Sequence, residues 1–502
     1  MSRWPRQLYR AAQVRALDRY AAEALRISEY ELMCRAGAAA FDALQSRWPD
    51  ARRVLICCGR GNNGGDGYVV GRLARRAGMD VTMVALAPVS ALQGAAAQAA
   101  RGFVEAGGHV HVLDDTRIIE TWRGDLIVDA LLGTGLERSV EGLWRDVIEA
   151  INRHPAARFA LDIPSGLSAD SGAMMGSAVR AEATITFIAL KPGLVTGNGV
   201  ALCGDVAFEN LGAPEAVYAA LAPYAERLVY EDLCSLLPAR RPDSHKGDFG
   251  HVLVVGGGRG MSGAARMAGE AALRIGAGLV TVATWPDHAS TLNLGRPELM
   301  VQPMAQASDL SSALAKASVL AIGPGLGTCE WAQGLFDAAL GFSGPMVVDA
   351  DGLNLLARQP VQRDSWILTP HPGEAARLLG CTPSDVQGDR YGAAEEIQSR
   401  YGGVVVLKGA GSVVRDASTI RVCDAGNPGM ASGGMGDVLT GVIVGLSAQH
   451  LAPLHAAGMG VLLHAMAGDR AAENRGERGL LASDLLPCLR GLVNGRESEN
   501  WG

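Results

Sequence analysis

Two glycine-rich loops carry an aspartate where a helix is predicted to begin. The first is GRGNNGGDG at residues 59–67, with Asp66 near its end, and the second is GNPGMASGGMGDVLTG at residues 426–441, with Asp437. Glycines leave backbone N–H groups unhindered, and a helix N-terminus attracts anions. A carboxylate beside such a loop can move a proton. The two loops therefore predict sites where a phosphorylated ligand lies close to a catalytic acid or base.

A structural interpretation of each loop is also open at this stage. Glycine-rich turns between a strand and a helix are common without any ligand, and Asp66 could be a first-turn acid that complements the helix dipole. Asp437 could be a helix cap. The run of glycines before Asp437 favours a ligand, because a cap alone needs no such loop. For the first loop, the decision depends on what the other strand ends supply.

Polar residues follow three further apolar segments in the first half of the chain. They lie in VDALLGTGLERS (128–139), LDIPSGLSAD (161–170) and LKPG (190–193). In an open parallel sheet, ligands gather at the carboxyl ends of the strands, so these residues are expected to share one edge with the first loop. Asp162 and Ser165 stand in one turn, which an Asx-type turn would also explain. Asp129 interrupts an apolar strand and is expected to be buried and paired, and a bound cation would pair it.

Comparable clusters follow the predicted strands of the second half. They are GPGLG (323–327), DADGLN (349–354), TPHPGE (369–374) and LKGAGS (407–412). The amides of residues 433–436 could hold a moving phosphate while Asp437 accepts a proton from an attacking hydroxyl, as phosphoryl transfer requires. Lys408 offers its charge to a nucleotide. His371 and Glu374 stand in a bare turn where a histidine is as easily structural as functional, and the DADGLN turn could help to place Mg²⁺ or be a plain turn.

Short apolar runs alternate with segments of helical period, which predicts an α/β protein with parallel sheets covered on both faces. The predicted strands are 52–59, 80–87, 125–133, 158–164, 183–190, 251–257, 279–285, 318–325, 345–352, 366–374 and 404–411. Two closing helices are predicted around 437–448 and 455–473. The alternation breaks within 212–248, so a domain boundary is expected near residue 225, giving domains 1–225 and 226–502.

Composition and charge exclude several classes of protein. The chain has 502 residues, of which 48% are hydrophobic and 19% charged, as expected for a globular protein of two or three domains. A formal net charge of −7 gives no general attraction to nucleic acid or to an anionic membrane, so neither is expected as a partner. Nine cysteines without a CxxC or zinc-type spacing predict reduced thiols. No signal peptide and no run of about 18 apolar residues is found, so a cytoplasmic protein is expected.

The first half of the chain resembles the NAD(P)H-hydrate epimerase family. GNNGGDG, VDALLGTGL and DIPSGL occur in the family's order, and AAQVRALDRYA and ELMCRAG are similar to its N-terminal helices. The resemblance implies a Rossmann-like three-layer domain that binds the hydrate of NADH or NADPH beside a K⁺ ion. It implies the following substrate contacts: Asn62, Asn63, Gly64, Gly65, Asp66, Gly133, Thr134, Gly135, Leu136, Glu137, Arg138, Ser139 and Asp162. It further implies Asn63, Asp129 and Ser165 as K⁺ ligands and Asp162 as the catalytic acid/base.

The second half resembles the ADP-dependent NAD(P)H-hydrate dehydratase family. HKGDFGHVLVVGG, GPGLG, TPHPGE, LKGAGS and GNPGMASGGMGDVLTG stand in the family's order and imply a ribokinase-like α/β domain. The resemblance implies contacts to the adenine nucleotide from Lys408, Gly409, Ala410, Gly411, Ser412 and Gly436. It implies contacts to the hydrate from Ala264, Gly325, His371 and Asp437, with Asp437 catalytic. Met435 departs from the family's pattern of a small residue such as serine, but backbone amides do not depend on that side chain, so activity is expected to survive.

Together the two resemblances imply a bifunctional repair enzyme for damaged cofactor. It would epimerise the R and S C6-hydrates of NADH and NADPH and dehydrate the S form at the expense of ADP, giving AMP and phosphate. K⁺ and Mg²⁺ are the implied cofactors, and a homo-oligomer, a tetramer or larger, is the implied assembly. The preference for ADP over ATP comes from the resemblance alone.

Two alternatives stay open. The second half could be a ribokinase-like kinase of a small metabolite such as a vitamin precursor, and the first half a non-catalytic Rossmann-like binding module. The retention of Asp162 together with the implied K⁺ ligands speaks against a non-catalytic first half.

Overall fold

A computed structural model describes residues 4–495 of the chain. The chain forms two compact units that divide between Glu226 and Arg227. The boundary expected near residue 225 lies beside this division, and the outer limits at residues 1 and 502 lie outside the described residues. Within residues 4–495, no helix is both long enough and apolar enough to cross a bilayer.

The first unit is an alternation of strands and helices. Its strands are β1 Gln7–Leu8, β2 Arg53–Cys58, β3 Asp80–Ala85, β4 Val110–Val112, β5 Leu126–Ala130, β6 Ala157–Leu161, β7 Ala183–Phe187, β8 Asp205–Glu209 and β9 Ala225–Arg227. Its helices are α1 Ala11–Leu25, α2 Glu29–Arg47, α3 Asn62–Arg76, α4 Gly94–Glu105, α5 Arg117–Thr121, α6 Gly142–Arg153, α7 Gly199–Leu202 and α8 Glu215–Ala219. Strands β1, β4, β8 and β9 were not predicted, because β1, β4 and β9 have only two or three residues and β8 has no buried residue.

The main sheet of the first unit is parallel throughout, with strand order β4-β3-β2-β5-β6-β7-β8. The chain runs outward from β2 to β4, then returns to place β5 on the other side of β2. The carboxyl ends of β2 and β5 therefore flank the point where the strand order reverses, which is where open α/β sheets bind ligands. The loop with Asp66 follows β2, and the loop of residues 131–139 follows β5.

Both faces of this sheet are covered, as the continuous apolar runs predict. Along β2, Val54 and Ile56 point into one core and Leu55 and Cys57 into the other. Successive strand residues face opposite sides of a sheet, so a strand buried on both sides must be apolar at every position. The sheet is the middle layer of a three-layer unit.

The second unit repeats the alternation with a longer sheet. Its strands are β10 His251–Val255, β11 Leu279–Thr284, β12 Met300–Pro303, β13 Val319–Ile322, β14 Met346–Val348, β15 Trp366–Leu368, β16 Val404–Leu407, β17 Ser412–Arg415 and β18 Ile420–Cys423. Its helices are α9 Tyr230–Cys234, α10 Ser262–Ile275, α11 Ser311–Leu314, α12 Glu330–Leu340, α13 Ala350–Arg358, α14 Pro372–Leu379, α15 Pro383–Gly388, α16 Arg390–Tyr401, α17 Met435–Ala448, α18 Pro453–Arg475 and α19 Leu485–Val493.

The second sheet differs from the prediction at both edges, since β12 at one edge and β17 and β18 at the other were not predicted. Its strands follow the order β18-β17-β16-β15-β14-β13-β10-β11-β12, and the pairs from β16 to β12 are parallel. Strands β16, β17 and β18 instead pair antiparallel. The alternation rule predicts only strands joined by helices, whereas β16 returns to β17 through the glycine-rich turn after Leu407. That turn is the loop predicted to contact a nucleotide.

Helices α10 and α17 pack closely because small residues face each other. A Cβ at Gly441 would lie 2.1 Å from the carbonyl oxygen of Ala268 and 2.7 Å from the Ala271 Cβ. A Cβ at Gly445 would lie 2.3 Å from a methyl carbon of Ile275. Helix α17 begins at the loop that carries Asp437. The close packing of α10 and α17 therefore helps to fix the position of that loop relative to the sheet.

Gly441→Ala should therefore destabilise the second unit. The added methyl group meets backbone rather than a flexible side chain, and overpacking of this kind costs about 1–3 kcal/mol. The free energy of unfolding from urea titration measures the loss. Gly388→Ala is the matched control, because a Cβ there meets nothing within 4 Å. An equal effect of the two substitutions would contradict the packing argument.

Candidate active sites

A cleft of about 680 Å³ opens at the carboxyl ends of β2 and β5 in the first unit. Its walls come from α1, α2, the start of α3 and the loops after β5 and β6. The predicted contact residues that line it are Asn62, Asn63, Asp66, Gly133, Thr134, Gly135, Leu136, Glu137, Arg138 and Asp162. Ten of the thirteen positions predicted to contact the substrate thus share one cavity.

The other three predicted contacts lie outside the cavity wall. A Cβ at Gly64 would lie 2.3 Å from the Gly59 carbonyl oxygen, and one at Gly65 would lie 2.5 Å from the Met33 methyl carbon. These glycines let α3 approach the strand end and α2, and their contact to the substrate stays a prediction. Ser139 is exposed beyond the cleft.

Asp66 does not lie where the helix-dipole interpretation needs it. Helix α3 begins at Asn62, so Asp66 is its fifth residue and no acid stands in the first turn. The dipole's influence fades beyond that turn, and this alternative is therefore wrong. The Asp66 side chain is 8% exposed and faces the cleft. Burial, and then the nearby Asp162 carboxylate, raise the pKa of Asp66 well above its usual range.

Asp162 is held by a lysine that the sequence did not single out for a role. Its Oδ1 atom accepts a short hydrogen bond from the ammonium of Lys191, which is completely buried. Weaker donors to the same oxygen are Thr186 Oγ1 at 3.3 Å and Phe187 N at 3.4 Å. Asp162 has a φ of 65°, in the left-handed region that aspartate tolerates better than most residues. In the turn after β6, hydrogen bonds thus hold one oxygen of the Asp162 carboxylate and leave the other without a donor from the described residues.

The implied K⁺ ligands converge around the backbone of Leu132. Buried Asp129 accepts hydrogen bonds from Ser165 N at 2.7 Å and from Ser165 Oγ at 2.5 Å. Asn63 Nδ2 donates to Leu132 O at 3.0 Å, while Ser165 Oγ lies 3.2 Å from the same oxygen. Asn63 Oδ1 is buried and has no hydrogen-bond partner among residues 4–495. Burial raises the pKa of Asp129 to about 6, and the hydrogen bonds from Ser165 and Leu131 oppose the rise.

Asn63 Oδ1, Ser165 Oγ, the Leu132 carbonyl and the Asp129 carboxylate therefore form an oxygen-rich group with one unsatisfied acceptor. Such oxygen donors suit a hard monovalent or divalent cation. The residues present fit the implied ion, and buried acceptors without partners are rare in folded proteins.

In the second unit, the candidate residues lie at the carboxyl ends of β13 to β16. Lys408 Nζ lies 2.6 Å from Asp349 Oδ1 and 3.8 Å from Glu374 Oε2. Thr440 Oγ1, in α17, donates to the other oxygen of Asp349 at 2.7 Å. Charge pairing therefore joins the ends of β14, β15 and β16 to the first turns of α17. The Lys408 ammonium points into this cluster.

Asp437 lies in the first turn of α17, whose N-cap is Gly434 with a φ of 91°. Asp437 itself is therefore not the cap, which removes the structural alternative. Burial and the nearby Asp349 carboxylate raise the pKa of Asp437 to about 7, and the Lys408 ammonium opposes the rise. A Cβ at Gly436 would have only Lys408 Nζ, at 3.3 Å, and Asp349 Oδ2, at 3.8 Å, as neighbours. Bare amides, an ammonium and a carboxyl that titrates near neutrality thus meet at one place.

His371 is both a helix cap and a neighbour of this cluster. It precedes α14, accepts a hydrogen bond from Gly373 N and pairs with Glu374 at 3.3 Å. Its capping role is structural, yet its ring is half exposed at the same strand end. Ala264 and Gly325 meet each other farther along the edge, where a Cβ on Gly325 would lie 3.0 Å from the Ala264 Cβ. These two positions border the strand-order reversal between β10 and β13.

The loop of residues 408–412 rests on Arg390, a second residue that the sequence analysis missed. Its guanidinium is completely buried and donates to Leu407 O at 3.2 Å, Lys408 O at 3.2 Å and Gly411 O at 3.4 Å. Arg390 thus holds the loop through three of its backbone carbonyl oxygens. Ser412 closes the turn, since its hydroxyl donates to Gly409 O at 3.0 Å. Gly409 and Ala410 are exposed at the tip.

Other residues that the sequence analysis missed come from distant segments. Asp18, Arg15 and Arg19 of α1 and Arg60 of the first loop line the cleft. Burial raises the pKa of Asp18 to about 6, and the Lys191 ammonium opposes the rise. Of the missed residues, only Lys191 could have been recognised from the sequence, because it is a lysine directly after an apolar strand. The residues of α1 could not have been recognised, because the residue pattern of a helix does not show which edge of a sheet the helix will cover.

Comparisons with known proteins agree with this arrangement. A family model described as the N-terminus of YjeF-related proteins matches residues 29–193, and one described as NAD(P)H-hydrate dehydratase matches residues 252–490. The chain is 51% identical to a bifunctional NAD(P)H-hydrate repair enzyme of Coxiella burnetii, over 97% of this chain and 99% of that protein. It is 47% identical to the enzyme of the same name from Escherichia coli, over 98% and 94%.

A solved ribokinase-like superfamily protein from Enterococcus faecalis matches 54% of this chain and 95% of its own, with 29% identity and a TM-score of 0.50. The ribokinase-like fold expected for the second unit is confirmed by this likeness. Both halves of the chain, and the full-length relatives, lead to the same assignment. The chain belongs to the family of bifunctional NAD(P)H-hydrate repair enzymes.

Proposed function

We propose that this protein restores hydrated NADH and NADPH through two reactions at two sites. The first unit interconverts the R and S hydrates at C6 of the nicotinamide ring. The second unit dehydrates the S form at the expense of ADP, giving AMP and phosphate. The observation that carries the proposal is that one candidate carboxylate of each unit, Asp162 or Asp437, lies near a glycine-rich helix start at the carboxyl edge of the sheet.

Inversion at C6 needs a proton to move in both of its chemical routes. The hydroxyl can leave and return, or the ring can open and close. Asp162 serves either route as a base. The Lys191 ammonium binds one oxygen of its carboxylate, and the other oxygen is left toward the cleft. The arginines at the cleft mouth, including Arg15, Arg19 and Arg60, offer positive charge for the pyrophosphate.

The proposed K⁺ ligands are Asn63, Asp129 and Ser165. A bound K⁺ would supply positive charge near the substrate phosphates and would order the loop after β5. Asn63 Oδ1, which is buried without a partner among the described residues, supports this assignment.

Removing K⁺ should therefore lower the stability of the first unit. A ligand that binds only the folded state stabilises it in proportion to the logarithm of its concentration. The melting temperature of the first unit, measured in potassium chloride and in choline chloride, tests this, and we expect a lower value in choline. Asp129→Asn should lose the difference between the two salts. A melting temperature that is equal in both salts would contradict the K⁺ site.

Dehydration is difficult because hydroxide leaves poorly at neutral pH. In the proposed reaction, Asp437 takes the proton of the C6 hydroxyl, and the hydroxyl oxygen attacks the terminal phosphorus of ADP and releases AMP. The C6–O bond then breaks, phosphate leaves with electron push from the ring nitrogen, and loss of a C5 proton forms the C5=C6 double bond. The N-terminus of α17 faces the transferred phosphoryl group.

The nucleotide would lie on the loop of residues 408–412 and Gly436, and the hydrate would contact Ala264, Gly325, His371 and Asp437. Both oxygens of Asp349 already have protein partners, and Asp351 accepts from Gly327 N at 2.8 Å and from Asn354. These acids do not supply an open site for Mg²⁺. We therefore include Mg²⁺ only as the counter-ion of the ADP phosphates.

A pH profile tests the role of Asp437 as a base. Its pKa of about 7 means that half the sites are protonated, and inactive, near neutrality. We expect kcat/KM for dehydration of the S hydrate to fall about tenfold for each pH unit below that value. The rate of NADH absorbance recovery, measured between about pH 5 and pH 9, gives the profile. A rate that stays level down to pH 5 would count against Asp437 as the base.

Incubation of S hydrate with ADP and Mg²⁺ distinguishes the proposal from a metabolite kinase. Release of free phosphate with recovery of near-ultraviolet absorbance supports dehydration. A stable phosphorylated product without recovered absorbance would instead favour a kinase. The homo-oligomeric assembly and the cytoplasmic setting stay predictions from the sequence.

A further inference from the structure

The cleft of the first unit contains two carboxyl groups in opposite environments. Asp162 has a buried ammonium, a hydroxyl and a backbone N–H directed at one oxygen. Asp66 lines the same cavity and is 8% exposed, yet its side chain has no hydrogen-bond or ion-pair partner among residues 4–495. Two carboxyl groups in one cavity, one held by a buried cation and the other without a polar partner, are a structural mark of an acid and base pair.

The nearest charges act on Asp66 in both directions, since the Asp162 and Asp18 carboxylates disfavour its anion and the Lys191 ammonium favours it. The Lys191 ammonium is bound to Asp162, Thr186 Oγ1 and the Phe187 carbonyl, so its donors are already used. The titratable or charged groups around the cleft are Asp18, Arg15 and Arg19 of α1, Glu29 of α2, Cys58 of β2, Asp162, Lys191, Arg60, Glu137 and Arg138. The four arginines are exposed at the cleft mouth, where solvent screens them.

We propose that Asp66 is the neutral carboxylic acid of this cleft and donates a proton in epimerisation, while Asp162, fixed by Lys191, accepts one. This inference rests on the proposed epimerase function and assigns the second proton-transfer group. Asp66 would therefore be a catalytic residue in addition to the substrate contact predicted for it.

Ring opening and closure account for each proton that the two carboxyl groups accept and donate. Asp162 takes the proton of the C6 hydroxyl, the C6=O bond forms, and the C6–N1 bond breaks. The electron pair goes to N1, which takes the proton of Asp66. Rotation about C5–C6 presents the other face of the aldehyde to N1. Closure returns one proton to Asp66 and the other to the new hydroxyl, so both carboxyl groups regain their starting states after every turnover.

Asp66→Asn separates proton donation from substrate binding. Asparagine keeps the shape and can still hydrogen-bond a sugar hydroxyl, but it cannot deliver an acidic proton. We expect kcat for R-to-S interconversion to fall about a hundredfold or more with KM nearly unchanged. Asp66→Glu, which keeps the acid one methylene away, should retain more activity than Asp66→Asn. Asp42→Asn, at an exposed position on α2, is the matched control.

Infrared difference spectroscopy supplies a readout that does not depend on activity. At neutral pH the wild-type protein should show a carboxylic-acid C=O stretch that Asp66→Asn lacks and Asp42→Asn keeps. Dehydration of the S hydrate by the second unit, together with the melting transition of the first unit, shows that each variant is folded. If Asp66→Asn does not fold, the carboxylic-acid C=O stretch of Asp66→Glu is compared with that of the wild-type protein instead.

Three results would overturn the inference. One is an unchanged kcat in Asp66→Asn, another is a raised KM with kcat intact, and the third is the absence of an acid band assigned to Asp66. In each case wild-type epimerisation would leave the proposed function standing. A wild-type protein that does not interconvert the hydrates would instead overturn the proposed function, and this inference with it.

Discussion

Asp437→Asn is expected to lower the rate of S-hydrate dehydration by about 10²- to 10⁴-fold, which is the usual contribution of a positioned general base. Asparagine preserves the size of the side chain in the first turn of α17 but cannot accept the proton of the hydroxyl. Phosphoryl transfer to the substrate would then be slowed by this factor, because the neutral hydroxyl is a poor nucleophile. Phosphate release and the recovery of near-ultraviolet absorbance from pure S hydrate and ADP measure the effect.

The chain supplies its own controls for this prediction. Interconversion of the hydrates by the same Asp437→Asn protein should proceed at the wild-type rate, since Asp437 belongs to the other unit. Asp364→Asn, an exposed aspartate after α13, makes the same chemical change in the second unit and should leave dehydration intact. Undiminished dehydration by Asp437→Asn would remove the mechanism proposed for this unit.

Asp162→Asn is expected to reduce R-to-S interconversion by a similar factor of about 10²- to 10⁴-fold while sparing dehydration of the S form. The backbone at this position has a φ of 65°, which asparagine tolerates about as well as aspartate, so the turn should keep its conformation. The exposed Asp42→Asn provides the matched control. Chromatographic separation of the two epimers, in the absence of ADP, measures interconversion directly.

Replacement of Asp162 should also lower the stability of the first unit. The substitution leaves the completely buried Lys191 ammonium without a carboxylate, and breaking a buried pair on one side is costly. We therefore expect a lower melting temperature of the first unit as well as lost interconversion. Wild-type interconversion in Asp162→Asn would exclude this carboxylate as the base, whatever happens to stability.

The positions of the candidate residues along the sheets were predictable because of a simple geometric rule. Parallel strands end at one edge, so the polar groups after β2, β5 and β6 had to meet there, and the same holds for β13 to β16. Continuous apolar strands likewise required both faces to be covered. Asp162 and Asp437 therefore lie near their glycine-rich loops.

What could not be predicted is the pairing of the charges. Lys191 reaches Asp162 because the strands β6 and β7 are neighbours, which depends on sheet order rather than on local pattern. Arg390 supports the loop of residues 408–412 from α16, a helix to which the sequence analysis gave no role. The antiparallel end of the second sheet was missed because the turn after β16 was interpreted solely as a ligand loop.

Two glycines of the first loop also have a packing role that the sequence did not predict. Gly64 and Gly65 belong to a recognisable motif, yet the structure uses them to pack α3 closely against its neighbours. A motif shared by a family mixes residues that touch a ligand with residues that shape the backbone. Only the positions of the side chains separate the two groups.

A complementation assay with pure R hydrate tests most directly whether two separate sites act in turn on the same molecule. In the presence of ADP, Mg²⁺ and K⁺, wild-type protein should recover NADH from the R form. Asp162→Asn alone should not, since it cannot convert R to S, and Asp437→Asn alone should produce S hydrate without NADH. A mixture of the two variants should recover NADH again. Recovery by either variant alone, or failure of the mixture, would contradict the division of the reaction between the two units.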